Sequence, residues 1–261
     1  MTRADVRRTA IVARARARGT VRTAELAGMF SVSEMTVRRD IDVLVGEGLL
    51  DRVYGGATVP GGATRAEEPG FDAKLLREER EKIAIAKEAL AMIRPGSAIG
   101  LSAGTTTWHL ASALAERLDC TVITNSVHIA SVLFPALNGG HGHVLLTGGE
   151  RTPSDALVGP IATGALGRLH LDVLFLGVHG MDPDFGFTTP NLLEAETNRA
   201  FIHAARHVAV LADHTKLGTV GMTTMAGLRD VDVVITDDGM PEPERQDLGE
   251  HVRELRIAPA G

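Results

Sequence analysis

The chain has 261 residues, which is enough for one or two domains with a sizeable hydrophobic core. Its formal net charge of −6 is unevenly distributed, because residues 1–65 carry 11 Arg against 7 acidic residues and the other 196 residues carry a net −10. A single cysteine excludes an internal disulfide, and the lack of an apolar run of roughly 20 residues excludes a membrane span, so we expect a cytoplasmic protein.

The basic N-terminal part has the pattern of three helices followed by a short β-hairpin. A first helix is predicted at about Val6 to Arg16, and apolar residues recur at three- and four-residue spacing in two helical segments between Thr23 and Ala57. A turn and an N-cap are supplied between these segments by Ser31-Val32-Ser33. The pattern predicts a winged helix-turn-helix, with residues 49–56 as the wing.

Several residues of this motif are candidates for DNA contact. The exposed N-terminal part of a recognition helix meets base edges, and here it carries Thr36 and Arg38. The wing brings Arg52 and Tyr54 to the DNA backbone. Phosphate-binding charge is expected from the arginines in and beside the first helix, namely Arg7, Arg8, Arg14, Arg16 and Arg18. An ordinary helical hairpin with solvated arginines is the alternative, and the agreement of helix pair, upstream helix and wing disfavours it.

A change of composition after the wing predicts a domain boundary. Residues 58–70 contain Gly, Pro and acidic residues without an apolar period, so they are predicted to form a linker. A helical pattern then begins at Phe71 and ends at Arg94-Pro95-Gly96. We therefore predict a DNA-binding domain at residues 1–57, an α/β domain at 71–240 and a tail at 241–261 with a candidate last strand at 252–257.

From Ser97 onward, short apolar runs alternate with helical segments. The predicted strands are Ala98–Leu101, Thr121–Thr124, His143–Thr147, Val173–Leu176, Val208–Leu211 and Val233–Thr236. The predicted helices are about Thr106–Leu118, Val127–Phe134, Pro160–Leu169 and Leu193–Ala205. Because the strands are too continuously apolar for a sheet with one wet face, they predict an open, mostly parallel α/β sheet covered by helices. Ligands bind such sheets at the carboxyl ends of the strands.

Polar or Gly-rich loops follow five of these strands. The first strand runs into Ser102-Ala103-Gly104-Thr105-Thr106-Thr107 and directly into a helix, so that free N–H groups and hydroxyls can face an anion. The other strands end in Asn125-Ser126, in residues 148–151, in residues 177–182 and in residues 213–216. One shared pocket explains these loops better than chance. The first loop is a candidate phosphate cradle, and a Ser/Thr-rich helix N-cap without a ligand is the alternative.

Both parts of the chain resemble the DeoR-type (DeoR/GlpR) bacterial transcriptional regulators. The resemblance is carried by the segments ELAGMFSVSEMTVRRDIDVL, EGLLDRVYGGA, GLSAGTTTWHLA, VITNSVHIA, LLTGGERTPSDALVGP, LDVLFLGVHGMD, GFTTPNLLEAETNRA and VLADHTKLG. It implies a winged helix-turn-helix whose recognition helix approaches DNA with Ser33, Thr36, Arg38 and Arg39. It also implies a sensor domain similar in fold to ribose-5-phosphate isomerase and the sugar-phosphate deaminases, which typically responds to a phosphorylated sugar or polyol.

The resemblance also assigns a pocket by position. It implies that Gly104, Thr105 and Thr106 hold the phosphate. It implies that the pocket is lined by Asn125, Gly148, Gly149, Asp182 and Lys216, with Thr188, Thr189 and Glu194 near its mouth. Ser102, at the pocket edge, and His179 each stand where an Asp is common in the family. Because both changes remove a carboxylate, we hypothesise an effector that differs from, or is more highly charged than, that of Asp-bearing relatives.

These expectations combine into a sequence-specific regulator, most often a repressor in this family, whose affinity for double-stranded operator DNA is set by a phosphorylated sugar or polyol. One recognition helix reads few base pairs, so a homodimer or homotetramer is expected. The alternative is a sugar-phosphate isomerase or deaminase carrying a DNA-binding head, with Asp182, Glu194, Asp213 and Lys216 as candidate acids and bases. A regulator controlled by a protein partner is a third interpretation.

No cofactor or metal is expected. His203 and His207 have the spacing that can chelate zinc on one helical face, but the sequence offers no third ligand beside them. A dinucleotide fingerprint is also rejected, because residues 177–180 lack its third glycine.

Overall fold

The computed structural model describes residues 3–18, 20–53, 56–58, 71–138 and 142–261. The chain divides into two compact units, Met1–Thr64 and Arg65–Gly261. Within the described parts of the chain, every helix is too short or too polar to cross a lipid bilayer.

The N-terminal unit is a three-helix domain with a small antiparallel sheet. Its helices are α1 (Arg3–Arg18), α2 (Thr23–Phe30) and α3 (Glu34–Gly46), and its strands are β1 (Thr20–Arg22), β2 (Asp51–Val53) and β3 (Gly56–Thr58). The strand order is β1-β3-β2, so the predicted wing, β2 with β3, is extended by a third strand. All three helices contribute to a single buried core, for example through Ile11, Leu26 and Ile41. The prediction of a winged helix-turn-helix is confirmed.

The C-terminal unit alternates helices and strands. Its helices are α4 (Phe71–Leu75), α5 (Glu79–Leu90), α6 (Thr105–Leu114), α7 (Val127–Leu133), α8 (Pro160–Leu166), α9 (Leu192–Ala204) and α10 (Glu242–His251). Its strands are β4 (Ala98–Leu101), β5 (Thr121–Thr124), β6 (His143–Leu146), β7 (Glu150–Arg151), β8 (Leu157–Val158), β9 (Val173–Gly177), β10 (Gly180–Asp182), β11 (Gly186–Thr189), β12 (Val208–Leu211), β13 (Thr223–Ala226), β14 (Val233–Asp237) and β15 (Leu255–Ala258).

A parallel sheet of seven strands, in the order β15-β14-β12-β9-β4-β5-β6, forms the centre of this unit. It contains all six predicted strands, each within one residue of its predicted ends. Both faces are covered, because Phe175 of β9 lies in the core with α5 and α6 while its neighbours Leu174 and Leu176 lie in the core with α8 and α9. Successive residues of a strand point to opposite faces, so a strand buried on both faces is predominantly apolar. The predicted α/β fold is confirmed.

The helix predicted from Phe71 onward is interrupted. Helix α4 ends at Leu75 and α5 begins only at Glu79, because Glu78 takes a left-handed backbone conformation with φ 47°. The interruption leaves carbonyl groups of Lys74 and Arg77 to accept hydrogen bonds from the Lys82 ammonium instead of from the next helical turn. The polar sequence around Glu78 gave no sign of this break, since it continues the helical spacing.

The C-terminal segment was predicted only in part. The candidate last strand at 252–257 is present as β15 (Leu255–Ala258), which pairs in parallel with β14 at the edge of the main sheet, whereas α10 (Glu242–His251) was not predicted. Strands β10, β11 and β13 form a separate antiparallel sheet, and β7 pairs with β8 in a hairpin. Strands β7 and β10 lie in stretches that were predicted as loops, and no element was predicted for the stretches that form β8, β11 and β13.

Candidate functional sites

The turn between α2 and α3 is fixed by two serines. Ser31 ends α2 in a left-handed conformation with φ 51°. Ser33 caps α3, because its hydroxyl accepts a hydrogen bond from the Thr36 N–H at 3.3 Å and lies 2.9 Å from the Thr36 hydroxyl. A side chain that satisfies a free N–H at a helix start sets where the helix begins and how it leaves the turn. The first turn of α3 is therefore held in one orientation.

One face of α3 is exposed along its length. Met35, Arg38, Arg39 and Asp42 all lie on this face at three- and four-residue spacing. Asp42 forms an ion pair with Arg52 of the wing, so its negative charge is offset. Arg38 lies 3.5 Å from Glu34 in an exposed pair, which a phosphate or base can displace at small cost. The predicted residue Tyr54 lies outside the described residues.

Three of the arginines predicted to bind phosphate are used inside the unit. Arg7 and Arg8 donate to the carboxylate of Asp40 at 2.5 and 3.0 Å, and Asp40 is only 3% exposed. Arg14 donates to Glu25 of α2 at 3.0 Å. A buried carboxylate needs such partners, so these arginines fasten α1 to α2 and α3. The side chains of Arg16 and Arg18 lie outside the described residues. Met35, which is 59% exposed on the recognition helix, was not among the predicted DNA-contact residues.

The C-terminal unit has a cavity beyond the carboxyl ends of β4, β9 and β12. The described residues that line it are Phe71, Lys74, Ala103, Gly104, Thr105, Thr106, Ser154, Ala156, Gly177, Val178, His179, Thr189, Glu194, Asn198, Lys216 and Met225. The predicted phosphate residues Gly104, Thr105 and Thr106 are among them, and so is Lys216. Thr189 and Glu194, predicted near the mouth, line the cavity as well.

The cradle is the start of α6. Gly104 has extended backbone, and α6 begins at Thr105 directly after β4, so the free N–H groups of the first turn lie at the cavity. A Cβ on Gly104 would lie 3.1 Å from the Thr107 hydroxyl, so a larger residue would crowd the loop. Thr107 itself donates to the Ser102 and Gly104 carbonyls at 2.7 and 3.0 Å. A helix N-terminus with this geometry is suited to an anion.

Two predicted pocket residues lie behind the cavity and support its wall. The Ser102 hydroxyl is fully buried and accepts a hydrogen bond from the Gly177 N–H at 2.9 Å. Asn125 accepts from the Ala103 N–H at 2.8 Å and donates to the Leu157 carbonyl at 3.1 Å. Ser102 thus joins the cradle to the end of β9, and Asn125 joins it to β8. Ser102 is not among the described lining residues, and the hypothesis that its missing carboxylate changes the charge of the pocket edge stays a prediction.

The remaining predicted residues have backbone roles away from the cavity lining. Asp182 accepts hydrogen bonds from the Asp184 and Phe185 N–H groups and so closes the β10–β11 turn. Gly149 has φ 121°, and a Cβ there would lie 2.4 Å from the Val158 carbonyl, so glycine is needed where β7 approaches β8. Gly148 adjoins Ile161, and the Thr188 hydroxyl accepts from the Gly221 N–H at 2.8 Å. His179, the second departure from the family pattern, does line the cavity.

Lys216 is placed by a buried acidic pair. Asp213, which is 1% exposed, lies 4.0 Å from the Lys216 ammonium. His214 donates from its backbone N–H to Asp237 at 2.7 Å, and its ring nitrogen lies 2.8 Å from the same carboxylate. The hydrogen bond to Asp237 raises the pKa of His214 despite partial burial. Burial alone would raise the pKa of Asp237, but its hydrogen bonds with His214 and Gly239 lower it. The ion pair between His214 and Asp237 fixes the loop that carries Lys216.

Glu194 is the one carboxylate among the described lining residues, and hydroxyl groups surround it. It accepts hydrogen bonds from Thr152 at 2.8 Å, from Ser154, and from Thr189 at 3.4 Å. The amino end of α9 also begins here, since Asn191 caps the helix at the Leu193 and Glu194 N–H groups. These donors hold the carboxylate in one position at the cavity wall.

Three residues near the cavity were not predicted from the sequence. Phe71 and Lys74 of α4 line it, although their helix was read only as the start of a longer one. Lys82 of α5 is 3% exposed and donates to the Lys74 carbonyl at 2.6 Å. Burial lowers the pKa of Lys82 from 10.5 to about 8, with Lys216 and Lys74 adding to the effect and Asp213 opposing it. The composition could have drawn attention to Lys74 and Lys82, because lysine is rare in this chain.

The pair His203 and His207 does not converge on a metal. The ring of His203 hydrogen-bonds the Arg199 carbonyl at 2.6 Å, and that of His207 lies 3.9 Å from Asp232. Among the described residues, no group of three His, Cys, Asp or Glu side chains is placed to hold a metal ion.

Two family models match the chain, a DeoR-like helix-turn-helix domain at residues 7–61 and a DeoR C terminal sensor domain at residues 77–238. The chain is 31% identical over 249 residues to the putative aga operon transcriptional repressor of Escherichia coli O157:H7, covering 95% of this chain and 91% of that protein. It is 32% identical over 252 residues to the glycerol-3-phosphate regulon repressor of Escherichia coli strain K12, covering 96% and 98%. Among solved structures, ribose 5-phosphate isomerase A from Methanocaldococcus jannaschii aligns with a TM-score of 0.40 and 18% identity over 54% of this chain and 55% of that chain.

Proposed function

The chain belongs to the DeoR family of transcriptional regulators, and from this membership we propose that it is a cytoplasmic repressor of carbohydrate genes whose affinity for operator DNA is set by a phosphorylated sugar or polyol. The observation that carries the proposal is a cavity built around the start of α6 and lined by Lys74 and Lys216. An anion is the ligand that a helix N-terminus and ammonium groups favour. The named targets of two relatives, the aga operon and the glycerol-3-phosphate regulon, support a link to carbohydrate metabolism.

The DNA-binding half of the proposal rests on the exposed face of α3. Arg38 and Arg39 lie on that face, and Ser33 and Thr36 order the first turn. Arginine forms bidentate hydrogen bonds with guanine in the major groove, which gives base discrimination. Arg52 belongs to the wing and is exposed beside Asp42, where it can reach a phosphate. Base contacts thus come from α3, and backbone contacts from the wing.

Regulation requires two arrangements of the protein that differ in affinity for DNA and for the effector. The effector then shifts the balance between them by its differential affinity alone. Because one recognition helix reads only a few base pairs, we propose that the protein binds repeated half-sites as a homodimer or homotetramer. Sedimentation equilibrium of the full chain over a range of concentrations measures this; a monomer at the concentrations where operator is bound would contradict it.

The hydrogen bonding of the carboxylates supports a regulator over a sugar-phosphate isomerase or deaminase. Glu194 accepts from three hydroxyls, Asp182 closes a turn, and Asp213 is almost fully buried. A catalytic base must reach the proton that it abstracts. Glu194 and Asp182 are already engaged, and Asp213 lies outside the described lining of the cavity. We expect no turnover of ribose 5-phosphate or glucosamine 6-phosphate in a coupled assay. Measurable turnover that a Glu194→Gln variant loses would favour an enzyme.

The proposal is tested by fluorescence anisotropy with duplex DNA from upstream of the protein's own gene. A scrambled duplex of equal length is the control, and both are titrated over a salt series with and without a panel of sugar and polyol phosphates. We expect tighter binding to the natural duplex and a shift of that binding by one phosphorylated compound. Equal affinity for both duplexes would contradict the sequence-specific half, and no response to any phosphorylated compound would contradict the effector half.

A further inference from the structure

Lysine is concentrated at the cavity. The chain contains four lysines among its 27 Lys and Arg residues, namely Lys74, Lys82, Lys87 and Lys216. Lys74 and Lys216 line the cavity, and both act electrostatically on the buried Lys82. Lys87 is exposed on α5 and is absent from the lining. Three of four ammonium groups therefore lie at one site, whereas arginine is spread over the whole chain.

Helix α4 brings Lys74 to the cavity from outside the matched domains. The two family models end at residue 61 and begin at residue 77, so α4, at Phe71–Leu75, falls between them. Phe71 is 6% exposed and stacks on the His128 ring, with centroids 3.9 Å apart and planes within 8°. It also meets the edge of Trp108 at 6.2 Å. These aromatic contacts fix the start of α4 against the helices α6 and α7.

The end of α4 is fixed as well. The Lys82 ammonium donates to the carbonyl of Lys74, in the last turn of α4, and to that of Arg77, just beyond its end. A cation at the carbonyl end of a helix is favourable, because it satisfies acceptors that have no partner in the helix. The backbone of Lys74 is thus held by Phe71 on one side and by Lys82 on the other. Lys74 lines the same cavity as Gly104, Thr105, Thr106 and Lys216.

We propose that Lys74 is an effector-binding residue, whose ammonium contacts an anionic or hydroxyl-rich part of a ligand with its phosphate in the cradle at Gly104–Thr106. The inference rests on the proposed function of this cavity and adds a ligand contact from a segment that neither domain model covers. Glu194 is the one carboxylate among the described lining residues, and it is outweighed by Lys74, Lys216 and the N–H groups of the cradle. The lining therefore favours ligands rich in negative charge, such as a sugar phosphate, a polyol phosphate or a phosphorylated sugar acid.

Lysine acetylation followed by mass spectrometry tests this contact in the full chain. The four lysines are acetylated briefly with a water-soluble acetyl ester, in inorganic phosphate or in sodium chloride of equal ionic strength. We expect phosphate to lower the acetylation of Lys74 and Lys216 severalfold and to leave Lys87 unchanged. Protection of Lys216 without Lys74 would overturn the inference and leave the proposed function intact. Protection of neither would overturn the effector half of the proposed function, and the inference with it.

A variant pair gives an independent measurement. Trp108 is the single tryptophan of the chain and contacts Phe71, so its emission reports the environment of α4 and of the cradle helix. In phosphate titrations of the full chain, Lys74→Gln should raise the half-saturating concentration roughly tenfold, the loss expected for one charge-assisted hydrogen bond. Lys87→Gln should leave it unchanged, and equal thermal unfolding temperatures show that both variants are folded. An unchanged half-saturation point in Lys74→Gln would overturn the inference.

Discussion

Arginine and lysine have different tasks in this protein. Arginine accounts for all basic residues in the first 65 positions, where Arg7 and Arg8 neutralise Asp40 and Arg38 and Arg39 face outward. Its planar fork suits carboxylates, guanine edges and phosphates. Lysine is confined to residues 74–216, and the ammonium is a compact charge that can be buried with a changed pKa. Each cation therefore occurs where its geometry fits the group it meets.

The outward arginines should carry the DNA specificity. Arg38→Ala or Arg39→Ala should weaken specific binding by about 1–3 kcal/mol, because a bidentate contact with a base would be lost. Anisotropy with the natural duplex measures this. Arg117→Ala is the control, since that exposed arginine belongs to the C-terminal unit and donates to the Leu90 carbonyl. If the natural protein and both variants bound the operator with equal affinity, Arg38 and Arg39 would not be base-contacting residues.

Lys82 should make phosphate binding depend on pH near its lowered pKa. Below pH 8 its ammonium adds positive charge beside the cavity, and above pH 8 that charge is lost. We expect the affinity for inorganic phosphate to fall as the pH rises through about 8. Lys82→Met should bind phosphate more weakly at pH 7 and should lack this decline, as seen by Trp108 emission. A decline that persists in Lys82→Met would assign the titration to another group.

The same shift has the opposite effect on stability. The pKa of Lys82 is about 8 in the folded protein and 10.5 in the unfolded chain, so the unfolded chain binds more protons between these values. The free energy of unfolding from this group should therefore rise as the pH increases from about 8 to 10.5. Denaturant melts of the natural protein and of Lys82→Met over this range measure the difference, with Lys87→Met as the control. If the free energies of unfolding of the natural protein and of Lys82→Met changed in parallel with pH, the lowered pKa of Lys82 would be contradicted.

At the scale of elements, the sequence predicted what depends on periodicity. All six strands predicted from apolar runs lie in the main sheet, because central strands buried on both faces are predominantly apolar. The edge strand β6 is also apolar, although it is largely exposed. The break at Glu78 was missed, because the helical spacing continues through this residue and does not show its left-handed backbone conformation. Strand β15 was placed only approximately, because Arg256 and Glu254 interrupt its apolar pattern at the sheet edge.

The site was predicted to a similar extent. The cradle and Lys216 are found where the motifs put them, because a loop between a strand and a helix has few conformations. Ser102, Asn125 and Asp182 have the polar side chains that a pocket requires, but these side chains bind backbone groups of neighbouring loops. A sequence shows which residues follow a strand, but not whether their side chains face the ligand or the next loop.

Asn125 should therefore act through the cradle's position. Asn125→Ala would leave the Ala103 N–H and the Leu157 carbonyl without these partners in a buried place. We expect a loss of about 1–3 kcal/mol in the free energy of unfolding and weaker phosphate binding, because the loop that starts α6 loses its support. Asp230→Ala is the matched control, since it removes a hydrogen bond to the Gly227 N–H outside the cavity lining. Phosphate affinity that falls equally in both variants would reduce the effect to general destabilisation.

At the scale of the whole molecule, charge divides the two tasks. Residues 1–65 carry a net +4 and the remaining residues a net −10, so the long-range field of the larger part repels DNA. The net +4 already counts Asp40 and Glu25, which pair with Arg7, Arg8 and Arg14, so the charge that can face DNA comes from the other arginines. The net electrostatic attraction of the full chain for DNA is therefore small, and specific contacts must supply most of its operator affinity.

Separating residues 1–65 from the acidic remainder should show how much each contributes to DNA affinity. A fragment of residues 1–65, which keeps its own buried core, should bind scrambled duplex more tightly than the full chain does at low salt, because the acidic part is gone. It should also lose most of the preference for the natural duplex, since a single recognition helix reads only a few base pairs, and it should not respond to any sugar phosphate. Anisotropy over a salt series, with the full chain measured beside the fragment, tests all three expectations. A fragment that keeps the full chain's operator preference would show that the C-terminal unit contributes nothing to specificity, and the proposed assembly on repeated half-sites would then be wrong.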